Sequence, residues 1–518
     1  MNASATNLRI AKNTLALYVR TGVTMSVSLF TSRIILQTLG VEDFGIYSVV
    51  GGVVVLFSFL NAAMSSATQR FLNFELGRGD AVQTARVFSM SMSVHFCIAG
   101  AVLVLAETLG LWFLNTQLNI PAGRMVAANW VYQFSIASTL LGIMLVPYNA
   151  TIIAYERMGF YALMSVATAF LRLGIVFLLV FGNADKLILY AGLVLAVSVL
   201  TQIVHVAYCR RAFPQTARYT PFRDKKLFRE LVSFSGWSLF GGVADIANSQ
   251  GINMVINVFC GVAANAAMGI ANQVNGAVYQ FISNFQTAFN PQLVKSYATG
   301  DNARFINLIF RASKFSFFLA LLPMLPVAAN ADFILYLWLG NVPEYVVEFA
   351  ELTLAHSLVS SLAAPLWMSV QATGKIRNYQ LIVGALTLAN LPLAYAVLRL
   401  GFSPACALGV RVGMHVATCI WRVFYLRGKI SLPARKFLVQ VCGRAVLVIA
   451  FSAGAARLAF LVFPERGVAQ LIASSLCAIV ALGIAILLFG LDKSERRFFS
   501  EFLAERIRFP RRISIFKK

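Results

Sequence analysis

The sequence predicts an all-α polytopic membrane protein of about fourteen transmembrane helices. Two six-helix lobes come first, two further helices follow, and both termini are cytoplasmic. Three observations predict this. Charged residues make up 12% of the 518 and hydrophobic residues 59%, where a soluble domain usually carries about 25% charged. Apolar stretches long enough to span a bilayer, ~20 residues each, recur along the whole chain. The basic residues between them fall mostly on one side.

The predicted spans are 13–38, 45–70, 87–112, 125–154, 158–182, 187–209, 230–259, 263–293, 308–329, 345–371, 378–398, 404–426, 437–460 and 467–490. Alternate loops hold Arg9 and Lys12, Arg78 and Arg86, Arg157, the linker CRRAFPQTARYTPFRDKK, Lys295 and Arg304, Lys375 and Arg377, the basic residues of Arg422–Lys436, and the tail from Lys493. The opposite loops hold Arg124, Lys186, Arg399 and Arg466, with acids such as Glu42, Asp43, Asp332 and Glu344. The positive-inside rule places the first set in the cytoplasm. This basic charge, +23 overall, therefore reads as a topology signal, and a nucleic-acid partner is not expected. The predicted division is an N-lobe over 1–212, a basic linker over 213–229, a C-lobe over 230–431, two further helices over 432–491, and a basic tail over 492–518.

The two lobes show a faint repeat. Gly40-Val41 and Gly261-Val262 open the second and eighth spans, and Gly79-Asp80 and Gly300-Asp301 follow them, both pairs offset by 221 residues. Six spans per copy is even, so both copies insert the same way up. Parallel repeats of this kind bind ligands between them near the bilayer midplane.

Polar residues inside the spans are the candidate site. On the eighth span Asn272, Asn275, Tyr279, Ser283, Gln286 and Asn290 share one helical face. Such a row serves either as polar glue between helices or as a cavity wall. Ser58, Asn61, Ser65 and Gln69 repeat the pattern on the second span, and Asp245, Ser249 and Asn253 on the seventh. Arg411, His415, Thr418 and Arg422 form a basic stripe on the twelfth, and Tyr161, Ser165, Thr168 and Arg172 end the fifth in a cation. Arg422 and Arg70 read as cytoplasmic anchors, and the four histidines as packing residues.

A charge at mid-membrane is expensive. Asp245 therefore either pairs with a cation or binds and releases H+ or Na+. Arg20, on a face with Asn13, Thr24 and Thr31, is the expected partner. Arg33 snorkels at the external end. Arg311 and Lys314, near the cytoplasmic end of the ninth span, either snorkel or meet an anionic ligand.

No Walker A, HExxH or GxSxG motif occurs, and no soluble loop is long enough for a catalytic domain. An ATP-driven pump, a hydrolase and a membrane glycosyltransferase are disfavoured. The seven cysteines form no CxxC pair, so neither a disulfide framework nor a zinc site is expected.

The opening RIAKNTLALYVR…TSRIILQTLGVEDFGIYSVVGGVVVLFSFLNAAMSSATQRFLNFELGRGD resembles bacterial polysaccharide biosynthesis membrane proteins. These are oligosaccharide-lipid flippases of the multidrug/oligosaccharidyl-lipid/polysaccharide (MATE-like) superfamily. FNPQLVKSYATGD is similar to the end of their eighth span. The resemblance implies alternating access and a polyprenyl-pyrophosphate-linked glycan as substrate. It implies no cofactor beyond a coupling H+ or Na+. Membrane lipids and a polysaccharide polymerase or glycosyltransferases would be the neighbours of a functional monomer. Arg20, Arg172, Arg411, Arg311 and Lys314 would then meet the pyrophosphate, and the amide and hydroxyl residues the glycan. A peptidoglycan lipid-precursor flippase and a cation-coupled multidrug exporter share this plan.

Overall fold

A computed structural model describes residues 3–55, 59–116, 120–179, 185–340, 342–462, 467–492 and 495–496. Ser58, the side chains of Arg9, Lys12, Arg33 and Asn61, Arg466, Lys493 and the tail beyond 496 lie outside the described residues.

The described chain is almost wholly helical. Helix α1 is Ala3–Val55, α2 Phe59–Arg78, and α3 Ala81–Leu105, which runs through a π-turn into α4, Leu111–Thr116. Next come α5 (Met125–Ala154), α6 (Met158–Leu178) and α7 (Lys186–Ala212). The second lobe is α8 (Lys225–Ala298), α9 (Asn302–Ala329), α10 (Ala331–Leu339), α11 (Val346–Thr373), α12 (Arg377–Arg399) and α13 (Pro404–Ile430). Then α14 (Ala434–Phe437) leads through a π-turn into α15 (Arg444–Val462), and α16 (Val468–Ala485) follows.

Two glycines break what would otherwise be continuous rods. Gly40 in α1 has φ 79° and Gly261 in α8 has φ 77°, a region strained for L-residues. Gly79 and Gly300 also have positive φ, 76° and 73°. Each precedes an aspartate that caps the next helix: Asp80 accepts from the Gln83 amide and Asp301 from the Arg304 amide, both at 2.9 Å. The positions picked out by the repeat thus share one backbone geometry.

Among the described residues, nine helices are long and apolar enough to cross a membrane. The long helices that fall short are α1, α2, α8 and α13, which carry most of the polar stripes. The outer loop around Asn330–Glu344 differs from expectation, since it contains the short helix α10. Ala331 and Leu335 of α10 are buried, while Tyr336, Leu337 and Trp338 are exposed. That pattern suits a helix lying in the interface, and nine residues are too few to register as a span.

The apolar clusters show how the lobes meet. At the basic end one core joins both: Phe71 and Leu72 of α2, Phe88 of α3, Phe289 and Leu293 of α8, and Leu366 of α11. At the other end the clusters separate. One gathers Ile46, Val50, Val131 and Leu187 of the N-lobe. Another gathers Ile252, Ile256, Phe349 and Leu408 of the C-lobe. The described lobes are therefore packed together at the basic end and form separate cores at the other.

Candidate functional site

The seam between the lobes is closed by polar contacts as well as apolar ones. Gly77 of α2 lies so close to α8 that an added Cβ would sit 2.8 Å from the Lys295 Cα and the Ala298 Cβ. Glu156 sits in the α5–α6 turn with φ 59° and is 5% exposed. Its carboxylate accepts from Gln292 Nε2 at 2.7 Å and Lys295 Nζ at 2.8 Å, both on α8. Nearby, Asn284 Nδ2 of α8 donates to the Leu17 carbonyl of α1 at 3.3 Å.

Arg70 is buried and hooks the lobes together. Its guanidinium packs on Phe71, Phe74 and Phe234. It donates to the carbonyls of Gln371 at 3.3 Å and Ala372 at 3.1 Å, at the C-terminus of α11. Free carbonyls and the negative end of the helix dipole favour a cation there. Arg70 is thus a bridge between lobes, not merely an anchor. Gly374 caps α11 with φ 77°, and a Cβ on it would meet Arg70 Nη2 at 2.5 Å.

Outside this seam the C-lobe holds a cavity of about 480 Å³ between α8, α11, α12 and α13, with Ser66 of α2 at its edge. Asp245, Tyr279, His356, Arg411, His415 and Arg422 line it. The His356 and His415 rings are 4.4 Å apart, and Arg422 lies 5.9 Å from the Tyr379 ring. Asn390 donates to Asn248 at 3.0 Å. Nε of Arg411, Nε of Arg422 and Nε2 of His415 are buried with no hydrogen-bond partner.

Several sequence expectations need correcting. No ion pair joins Arg20 and Asp245 among the described residues. Arg20 lies over the Tyr161 ring at 4.8 Å, with its Nε buried and unpartnered. Asp245 shares the C-lobe cavity with Arg411 instead. Arg422 is buried and lines the cavity, so it is no surface anchor. His356 and His415 line it too. By contrast, His95 and His205 bond the carbonyl one turn back, as packing residues do.

Arg311 and Lys314 are already neutralised. Lys314 Nζ lies 2.7 Å from Glu495 and 3.0 Å from Asp492, and Arg311 lies 3.6 Å from Glu495. Arg444 also pairs with Asp492. This network ties the segment after α16 to α9 and α15. Burial opposes ionisation of the Asp492 carboxyl, but bonds from Lys314 and Arg444 outweigh it and hold its pKa below the usual range.

The remaining candidates scatter. Arg172 is exposed, within electrostatic reach of Tyr47 and Tyr190, whose rings are 4.8 Å apart. Of the α8 stripe, Tyr279 lines the C-lobe cavity. Gln286 is buried with an unpartnered amide nitrogen, and Asn272, Asn275 and Asn290 are half-buried. Ser249, Asn253, Ser65 and Gln69 are half-buried as well. On α2 the neighbouring Ser66 reaches the cavity and bonds Gln371 at 3.4 Å.

At the end opposite the basic one Arg124 bridges two acids, donating from Nε to Asp43 at 2.8 Å and from Nη1 to Asp185 at 2.5 Å. Bonds from Asp185 first, then Asp43, raise the Arg124 pKa further.

Each lobe carries a long helix broken at a positive-φ glycine, Gly40 in one and Gly261 in the other, and this fold is shared with solved transporters. The fold matches that of a MATE transporter in the bent conformation, with a TM-score of 0.70 and 13% identity over 84% of this chain and 99% of that one. It also matches an outward-facing MATE family multidrug resistance transporter, at 0.68 and 14%, over 83% and 98%. A MOP superfamily transporter from Pyrococcus furiosus, whose binding pocket is described as reversed in polarity, matches at 0.68 and 13%, over 83% and 98%. In sequence, the uncharacterized membrane protein EpsK of Bacillus subtilis is 21% identical over 372 residues, 71% of this chain and 73% of EpsK. No family model matches the chain.

Proposed function

We propose that this protein is an alternating-access flippase of a bacterial cytoplasmic membrane. It moves a polyprenyl-pyrophosphate-linked oligosaccharide from the cytoplasmic to the external leaflet for cell-surface polysaccharide synthesis. The observation that carries this reading is the pair of guanidinium groups of Arg411 and Arg422, each with a buried Nε donor that has no hydrogen-bond partner among the described residues, in a cavity whose only lining acid among the described residues is Asp245. Guanidinium groups grip phosphate oxygens by paired bonds. Amide and hydroxyl groups beside them, such as Asn390, Gln380 and Ser360, suit a glycan. The lipid tail can stay in the bilayer. With its basic end in the cytoplasm, the arrangement, closed at that end, would be the outward-facing half of the transport cycle.

A multidrug exporter would need acids to hold cationic drugs, and this cavity offers one acid against two arginines. Asp245 is the group through which H+ or Na+ would couple. The polymerase or glycosyltransferases of the same assembly line would act on either side of the step.

The test is reconstitution in proteoliposomes with a labelled polyprenyl-pyrophosphate oligosaccharide, following protection of the glycan from an impermeant oxidant. Protein-dependent flipping that Arg411→Ala abolishes supports the proposal. Movement of the peptidoglycan lipid precursor alone, or of cationic drugs alone, would replace it. Flipping indifferent to Asp245→Asn, pH and Na+ would remove the coupling role.

A further inference from the structure

We propose a second anion site, separate from the C-lobe cavity, in a basic pocket on the cytoplasmic face. Its ligand is a phosphate-bearing group. The proposal does not depend on the flippase reading.

The pocket has a volume of about 940 Å³, larger than the C-lobe cavity. Lys225, Lys226 and Arg229 reach it from the first turns of α8, Lys375 and Arg377 from the α11–α12 turn, and Lys429 from the end of α13. Arg70, from the other lobe, completes the lining, and Glu230 is the one acid there among the described residues. Four chain segments far apart in sequence thus converge their cations on one concavity.

A basic cytoplasmic rim alone would be ordinary, because topology signals put Lys and Arg there. Three features set this one apart. First, acids are scarce: among the described residues Glu230 is the lone lining carboxylate against seven cations, six of them solvent-exposed. Other cations of the chain do pair, Lys295 with Glu156, Arg124 with Asp43 and Asp185, and Lys314 with Asp492 and Glu495. None of the pocket cations forms an ion pair among the described residues. Arg377 lies over Trp237 at 5.4 Å and Lys429 over Tyr425 at 5.8 Å, contacts that orient a cation without neutralising it. Second, the N-terminus of α12 opens onto the pocket through Ile376, Arg377 and Asn378, and Ile376 supplies no side-chain cap. Its first N–H groups are free donors at the positive end of the helix dipole. Third, like charges gathered round one hollow repel one another. An anion in the hollow would relieve that repulsion.

The ligand chemistry is phosphate, with two sources: the headgroup of an anionic lipid, or a soluble phosphate compound. The α11–α12 turn that lines the pocket also follows the two carbonyls gripped by Arg70. A bound phosphate would therefore sit against the hook that closes the seam.

The test uses the full chain in zwitterionic detergent, with inorganic pyrophosphate as probe, read by calorimetry and by thermal unfolding. Saturable binding at one site per chain is expected, with a raised melting temperature. A triple variant, Lys225→Gln with Arg229→Gln and Arg377→Gln, should bind at least about tenfold more weakly, having lost three charged contacts. Without ligand it should melt no lower than wild type, because repulsion has been removed. A control triple, Arg427→Gln with Arg435→Gln and Lys436→Gln, removes exposed charge from the same face outside the pocket and should bind as wild type does.

Equal losses in both triples, or no saturable binding, would overturn the proposal. Adding phosphatidylglycerol separates the sources. Displacement of pyrophosphate by the lipid identifies a headgroup site, and indifference to the lipid identifies a soluble phosphate.

Discussion

Replacing Gly77 by alanine should open the cytoplasmic seam. The added Cβ would stand 2.8 Å from the Lys295 Cα, 2.9 Å from its carbonyl oxygen and 2.8 Å from the Ala298 Cβ. Carbon atoms rest about 3.5–4.0 Å apart, so α2 and α8 must separate by roughly 1 Å at this point. The obstruction is backbone and cannot rotate away. Overpacking of this kind costs about 1–3 kcal/mol. It falls only on the state in which the seam is closed. About 2 kcal/mol would shift the closed-to-open ratio roughly thirtyfold. Helix propensity acts the other way, favouring alanine over glycine by up to about 1 kcal/mol, so the fold itself should survive.

Electron–electron spin distances in nanodiscs would read the effect, with labels on the exposed positions Ala81 and Asn302 in a cysteine-free background. A longer-distance population should grow in the variant. A well-folded variant whose distance distribution matches wild type would refute the reasoning.

Three further outcomes follow from the same geometry. Lys295→Met removes one of the charge-assisted bonds that the buried Glu156 carboxylate accepts across the seam. Such a bond is worth roughly 1.5–3 kcal/mol, so denaturant unfolding should shift down, and cysteines placed along the seam should become more reactive. Arg411→Ala should abolish transport in the reconstituted assay, whereas Arg311→Ala should leave most of it, because Arg311 is committed to Glu495; similar losses from both would contradict the assignment. The Asp492 pKa is depressed in the folded protein. Its pairing therefore stabilises at all pH values above the unfolded carboxyl value near ~4, and is lost as pH falls through the lower folded value. Thermal unfolding of wild type and Asp492→Asn should differ at neutral pH and converge in acid.

Much of the architecture was legible along the chain because its causes are local. Hydropathy over some twenty residues tells whether a segment can lie in lipid. The glycine–aspartate pairs at Gly79 and Gly300 mark helix ends because positive φ and a capping carboxylate are properties of adjacent residues. The helices with polar faces were also visible, since a 3.6-residue period needs no knowledge of neighbours. Which side of such a face meets the cavity was less legible. Ser65 and Ser66 are adjacent, yet Ser66 is the one that lines it.

The sequence by itself determined the all-helical membrane class, the paired glycine–aspartate helix ends and the helices that carry polar stripes. Only the tertiary structure decided which charges are spent and which are free. Lys314 meets Glu495 across 181 residues of chain, and Glu156 meets Lys295 across 139. The segment after α16 thus removes Arg311 and Lys314 from the list of free cations, while Arg422 is drawn from the expected rim into the cavity wall. Whether an arginine holds a structure together or is left to meet a ligand depends on what lies within about 4 Å of it, and helical periodicity carries no record of that distance.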